Sequence, residues 1–141
     1  MRDDYAIGAL SEATGCKVQT IRYYEQIGLM PSPPRSEGRQ RRYASSHIKR
    51  LAFIRHAREL GFDIEEVRQL LALSDQPDKS CEAVDRIAQH HLAEIGSKIA
   101  RLSSLEKEVK RMTASCKRGR VAECRVIEVL ADHGKCGHKR H

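Results

Sequence analysis

Eight apolar positions set the strongest constraint on this chain. Leu92, Ile95, Ile99, Leu102, Leu105, Val109, Met112 and Cys116 follow one another in steps of 3, 4, 3, 3, 4, 3 and 4. That spacing predicts one long helix, about Cys81 to Ser115, carrying a coiled-coil stripe with one irregular step at Leu105. A lone helix of this length cannot bury such a stripe. Little else in the chain is long enough to cover it. The economical partner is the same helix of a second chain, in a two-fold homodimer.

The segment before this helix reads as a compact helical lobe. Ile7, Leu10 and Ala13 or Thr14 share one face of a first helix that Gly15 ends. A second helix runs from about Lys17 to Gln26, with Val18, Ile21 and Tyr24 or Glu25 marking its faces and Gly28 closing it. Two short helices joined by a glycine turn form a helix-turn-helix pattern. Prolines and glycine between Met30 and Tyr43 exclude a helix there and predict a loop and short hairpin, a wing. Ser45 or Ser46 is expected to cap a third helix to about Leu60, with Ile48, Leu51, Phe53 and Ile54 on its apolar side. Asp63 caps a fourth to Leu73, and Glu66 stands at capping-box spacing. The polar turn Ser74 to Asp78 divides the chain. The expected segments are 1–74, 75–115 and 116–141.

Charge gives the first functional indication. The net charge is +7, and the stretch Arg35 to Arg58 alone holds eight basic residues against Glu37. They are Arg35, Arg39, Arg41, Arg42, Lys49, Arg50, Arg55 and Arg58. Such a concentration points to a polyanion, with a solvated basic face as the alternative. No apolar run reaches the roughly 18 residues of a spanning helix, and no secretory signal is visible, so cytoplasmic residence without a membrane partner is expected.

Three blocks resemble the MerR family of bacterial transcriptional regulators: Thr20 to Glu25 followed by Gly28-Leu29, Arg35 through Arg41-Arg42-Tyr43, and Ile54 to Phe62. The resemblance implies a mainly α fold. A winged helix-turn-helix domain is followed by a long antiparallel dimerisation helix and a metal-binding loop. It assigns Gln19, Arg22 and Tyr24 to the recognition helix, and Arg35 and Arg41 to the wing. Relatives have Asn-Gly-Tyr-Arg where this chain has Gly38-Arg39-Gln40-Arg41, so Gln40 either takes over a tyrosine's phosphate contact or that contact is lost. Arginine suits both roles, because its planar fork binds guanine edges or grips phosphates. Of the adjacent tyrosines, Tyr23 is expected in the core and Tyr24 at the DNA.

Five cysteines in a chain without an export signal argue against a disulfide framework. Cys16 falls where the helix-turn-helix core needs a small apolar residue. Cys81 and Cys116 bound the long helix, and 35 residues of helix span about 52 Å, so the two cannot share an ion within one chain. In an antiparallel dimer, Cys81 of one chain lies beside Cys116 and Cys124 of the other. Three thiolates select soft or borderline ions. A cysteine at the helix start resembles the branches sensing zinc, cadmium, lead or mercury. The seven-residue spacing between Cys116 and Cys124 also resembles copper(I) sensors. A thiol redox switch is the reading without metal. His133, Cys136 and His138 offer further ligands or form an unused polar tail.

The resemblance further implies that metal binding distorts promoter DNA so that RNA polymerase engages it, with efflux genes as targets. No nucleophile with an adjacent base, phosphate-binding glycine loop or pocket of paired carboxylates is legible, so an enzyme is not expected.

Overall fold

A computed structural model of the chain describes residues 4–32, 42–115 and 119–132. Six α-helices follow in order: α1 (Ile7–Thr14), α2 (Val18–Gln26), α3 (Ser45–Glu59), α4 (Ile64–Ser74), α5 (Glu82–Ala114) and α6 (Arg125–Ala131). A short 3-10 turn, Val121–Glu123, precedes α6. The chain forms two compact units, Met1–Ile87 and Ala88–His141, so their boundary falls inside α5.

The first unit is built around the helix-turn-helix. Gly15 ends α1 with φ 74°, a left-handed conformation that a side chain disfavours, and its N–H returns to Ser11 O at 2.8 Å. α1 packs on α2 and α3, and α3 packs on α4. Leu10, Ile21, Leu29, Leu51, Ile54 and Val67 are fully buried in one cluster. Each such side chain contributes about 1.5–3 kcal/mol through removal from water. Tyr43 joins them, and its main chain pairs with that of Tyr5 in an antiparallel bridge of 2.7 and 2.8 Å. This bridge ties the start of α1 to the segment entering α3. The expected hairpin of the wing lies largely in 33–41, outside the described residues.

Two details of α3 differ from the reading of the sequence. Its N-cap is Ala44, and neither Ser45 nor Ser46 caps it. In their place, His47 Nδ1 accepts the Ala44 N–H at 2.8 Å, which satisfies one of the donors that a helix start leaves open. Phe53, expected on the apolar side, is exposed, because the buried face of α3 follows Leu51, Ile54 and Ala57. α4 begins as predicted. Asp63 Oδ1 accepts the Glu66 N–H at 2.8 Å, and Glu66 Oε1 accepts the Asp63 N–H at 3.0 Å.

α5 has 33 residues. Along its stripe Leu92, Ile99, Leu102 and Val109 are 60%, 62%, 61% and 53% exposed. Ile95 and Leu105 are half-buried, and Met112 is buried. The single chain therefore leaves most of the stripe facing water, as its periodicity predicts for a helix that lacks a partner. In the second unit Glu108 is buried and bonded to Arg111, and Val129 of α6 is buried.

Candidate nucleic-acid interface and metal ligands

The residues expected to read DNA lie on α2. Gln19 and Arg22 are exposed on it. Arg22, Glu25, Gln26 and Ser32 line a cleft of about 350 Å³ beside the helix. A second depression of about 310 Å³ is lined by Gln19, Thr20, Tyr23, Tyr24, Arg58 and Ile64. Arg58 belongs to neither the helix-turn-helix nor the wing, yet it shares this surface with α2. Its place three turns into α3 hid the connection from the sequence.

The two tyrosines exchange their expected places. Tyr24 is 8% exposed and joins the core, whereas Tyr23 is 49% exposed. The cause is helical phase: Tyr24 lies three residues after Ile21, the buried anchor of α2, and Tyr23 only two. Their rings remain in contact, with centroids 5.9 Å apart. Burial holds the Tyr24 phenol above its ordinary value of 10.0, and nearby Cys16 adds to that effect. The Arg58 guanidinium pulls the other way. Glu25 turns toward Tyr43, whose O–H its carboxylate accepts at 3.1 Å.

Several of the described basic side chains in the stretch bind groups of the protein itself. Arg35, Arg39, Arg41 and the neighbouring Gln40 lie outside the described residues. Of the five remaining basic side chains, four bind within the protein. Arg42 pairs with Asp4 at 3.5 Å, and Arg50 donates to Leu29 O at 2.8 Å. Arg55 donates to Thr14 O and pairs with Glu59 at 3.1 Å. Arg58 donates to Phe62 O at 2.8 Å. Much of this charge thus holds the fold while leaving part of each guanidinium at the surface.

Cys16 is buried at 7% exposure among the core residues, as expected. Cys81 is exposed one residue before α5, and its carbonyl accepts the Asp85 N–H at 2.9 Å. Cys124 is half-buried and caps the start of α6, where its carbonyl accepts the Glu128 N–H at 3.0 Å. Neither sulfur is in a disulfide. Cys81 belongs to the first unit and Cys124 to the second. Cys116, His133, Cys136 and His138 lie outside the described residues.

A glycine-linked helix pair with a polar, arginine-bearing second helix defines a helix-turn-helix DNA-binding protein. Residues 5–74 match the model of the MerR HTH family regulatory protein, and residues 48–112 match that of MerR, DNA binding. The regulator HmrR of Rhizobium leguminosarum is 40% identical over 89% of this chain and 97% of its own length. The regulator ZntR of Escherichia coli is 39% identical over 79% and 80%. The crystal structure of the regulator PbrR691 from Ralstonia metallidurans, in complex with lead(II), is similar with a TM-score of 0.78 and 39% identity. It covers 92% of this chain and 98% of that one. The chain belongs to the MerR family.

Proposed function

We propose that this protein is a metal-responsive transcription regulator that binds double-stranded promoter DNA as a homodimer. A divalent soft ion, zinc, cadmium or lead, is its effector, and metal efflux or resistance genes are its targets. Residues 1–74 read DNA, 75–115 dimerise and 116–141 hold the ion with Cys81 of the partner. Arg22 and Gln19 meet base edges, while Arg35, Gln40 and Arg41 of the wing, joined by Arg58, meet phosphates. The reading places the protein in the cytoplasm with its DNA; among the described residues no helix is long and apolar enough to cross a membrane.

The observation that supports the metal reading is that one cysteine stands before α5 and another after it, neither in a disulfide. Cys81 precedes the helix and Cys124 caps the element that follows it. Thirty-three helical residues span about 50 Å, and in this reading antiparallel pairing of two chains brings Cys81 of one to Cys116 and Cys124 of the other. The lead(II) held by the PbrR691 relative supports a soft-ion effector. A sulfur-only donor set suits such ions and fits zinc at about 2.3 Å. Metal must favour the activating conformer over the repressing one, since an ion that binds both equally shifts nothing. In the activating state the DNA is distorted so that RNA polymerase engages the promoter.

Competitive anaerobic titration with zinc, cadmium, lead and copper(I), paired with transcription from the bound promoter, tests this. Wild type is expected to bind a divalent ion and raise transcription, and Cys81→Ser, Cys116→Ser and Cys124→Ser each to lose induction while keeping DNA affinity. Cys136→Ser alongside reports on the tail. Equal induction in Cys124→Ser and wild type would overturn the metal site. A response to thiol oxidants in place of ions would establish the redox reading.

A further inference from the structure

Three arginines of α3 and α4 hold main-chain carbonyls at the two turns that bracket α2. Before the helix, the Arg55 guanidinium donates to Thr14 O, and a Cβ on Gly15 would run into it. After the helix, Arg68 Nη2 donates to Ile27 O at 2.9 Å, and Arg68 Nη1 would stand 3.5 Å from a Cβ on Gly28. Arg50 Nε donates to Leu29 O at 2.8 Å, while its Nη1 faces Asp75 Oδ2 at 3.7 Å. The partners are separated by 41, 41 and 21 residues, so each bond is a tertiary clamp and none is a local cap.

α2 needs such clamps. It has nine residues and buries two of them, Ile21 and Tyr24. With half-buried Val18, Thr20 and Glu25 and the Glu25–Tyr43 hydrogen bond, this is still a narrow contact, which fixes how far the helix stands from the core more firmly than its tilt. The N-cap Lys17 makes no side-chain cap bond that would anchor the near end. Hydrogen bonds with a charged donor are the strong class, and a planar guanidinium restrains direction as well as distance.

We propose that Arg55, Arg68 and Arg50 are positioning residues for DNA reading: they set the tilt of α2, so that Gln19 and Arg22 meet base edges in register, while their bonded N–H groups face the protein. The inference rests on the assignment of α2 as the recognition helix. Base-edge hydrogen bonds need placement within a fraction of an ångström, whereas attraction to phosphates does not. Loosening the bracket therefore lowers discrimination between sequences more than it lowers attachment to duplex DNA.

The test uses the full-length protein and a duplex selected by the wild type from a random pool, beside a scrambled duplex, across a salt series. Arg68→Gln and Arg50→Gln are expected to bind the selected duplex about tenfold more weakly, the equivalent of one charge-assisted hydrogen bond. Both are expected to bind the scrambled duplex like wild type, with an unchanged salt slope. Arg68→Lys, which keeps a charged donor, is expected to recover part of the loss. A merely structural role would lower the melting temperature and leave the selected-to-scrambled ratio of the folded protein untouched, and that outcome overturns the proposal. A salt slope reduced by about 1 would also overturn it, because the arginine would then be touching phosphate. Arg50→Gln carries the test where Arg68→Gln lowers the folded fraction. If the wild type selects no duplex at all, the assignment of α2 as recognition helix fails instead.

Discussion

Tyr24 combines a ring in the core with a hydroxyl near Arg58, and that position has a pH consequence. Burial raises the folded-state pKa above the unfolded value near 10. The stabilising contribution of the neutral phenol is complete below that unfolded value. It is lost as pH rises through the raised folded value, because the unfolded chain releases its proton first. Tyr24→Phe is expected to melt with a smaller fall than wild type as pH rises above about 10, measured by circular dichroism. The sequence marked both tyrosines of α2 as important but assigned them to the wrong sides. A helix of nine residues gives few apolar positions from which to set its phase, and Tyr24 is legible as core only once Ile21 is taken as the anchor. Cys16, by contrast, was legible, since a small apolar residue after a glycine turn has few places to go but inward.

At the scale of elements, α4 and α3 differ in how openly they announce themselves. Asp63 and Glu66 satisfy each other's main-chain N–H groups reciprocally, and Asp63→Ala is expected to cost about 1 kcal/mol, read as a lower urea midpoint with an unchanged slope. That box is written in two residue types at fixed spacing, so it could be found without coordinates. The start of α3 could not. His47 bonds back to Ala44 while two serines stand inside the helix, and propensity alone favours the serines. The basic stretch shows the same limit. Composition counts charges, but only tertiary structure reveals that Arg50 and Arg55 bind carbonyls 21 and 41 residues away. Arg68 was equally invisible, because nothing near it in sequence indicates Ile27.

For the molecule as a whole, the exposed stripe of α5 is the feature on which the proposed dimer rests. Ile99→Lys with Leu102→Lys places charge where two apolar helices are expected to meet, and sedimentation equilibrium is expected to show a monomer where wild type is a dimer. The stripe was the most legible feature of the chain, since its periodicity needs no tertiary information. The thiol set was legible as residue types and spacing, while its proposed convergence depends on a second chain. That dependence reaches into genetics. With Cys81 at one end of a 33-residue helix and Cys124 beyond the other, an allele lacking the first and an allele lacking the second damage different halves of each site. If the proposed antiparallel dimer forms, the two co-expressed assemble a mixed dimer with one site entirely broken and one entirely intact. Two inactive genes would then complement, because in the proposed function the unit of sensing is not the gene product but the encounter of two.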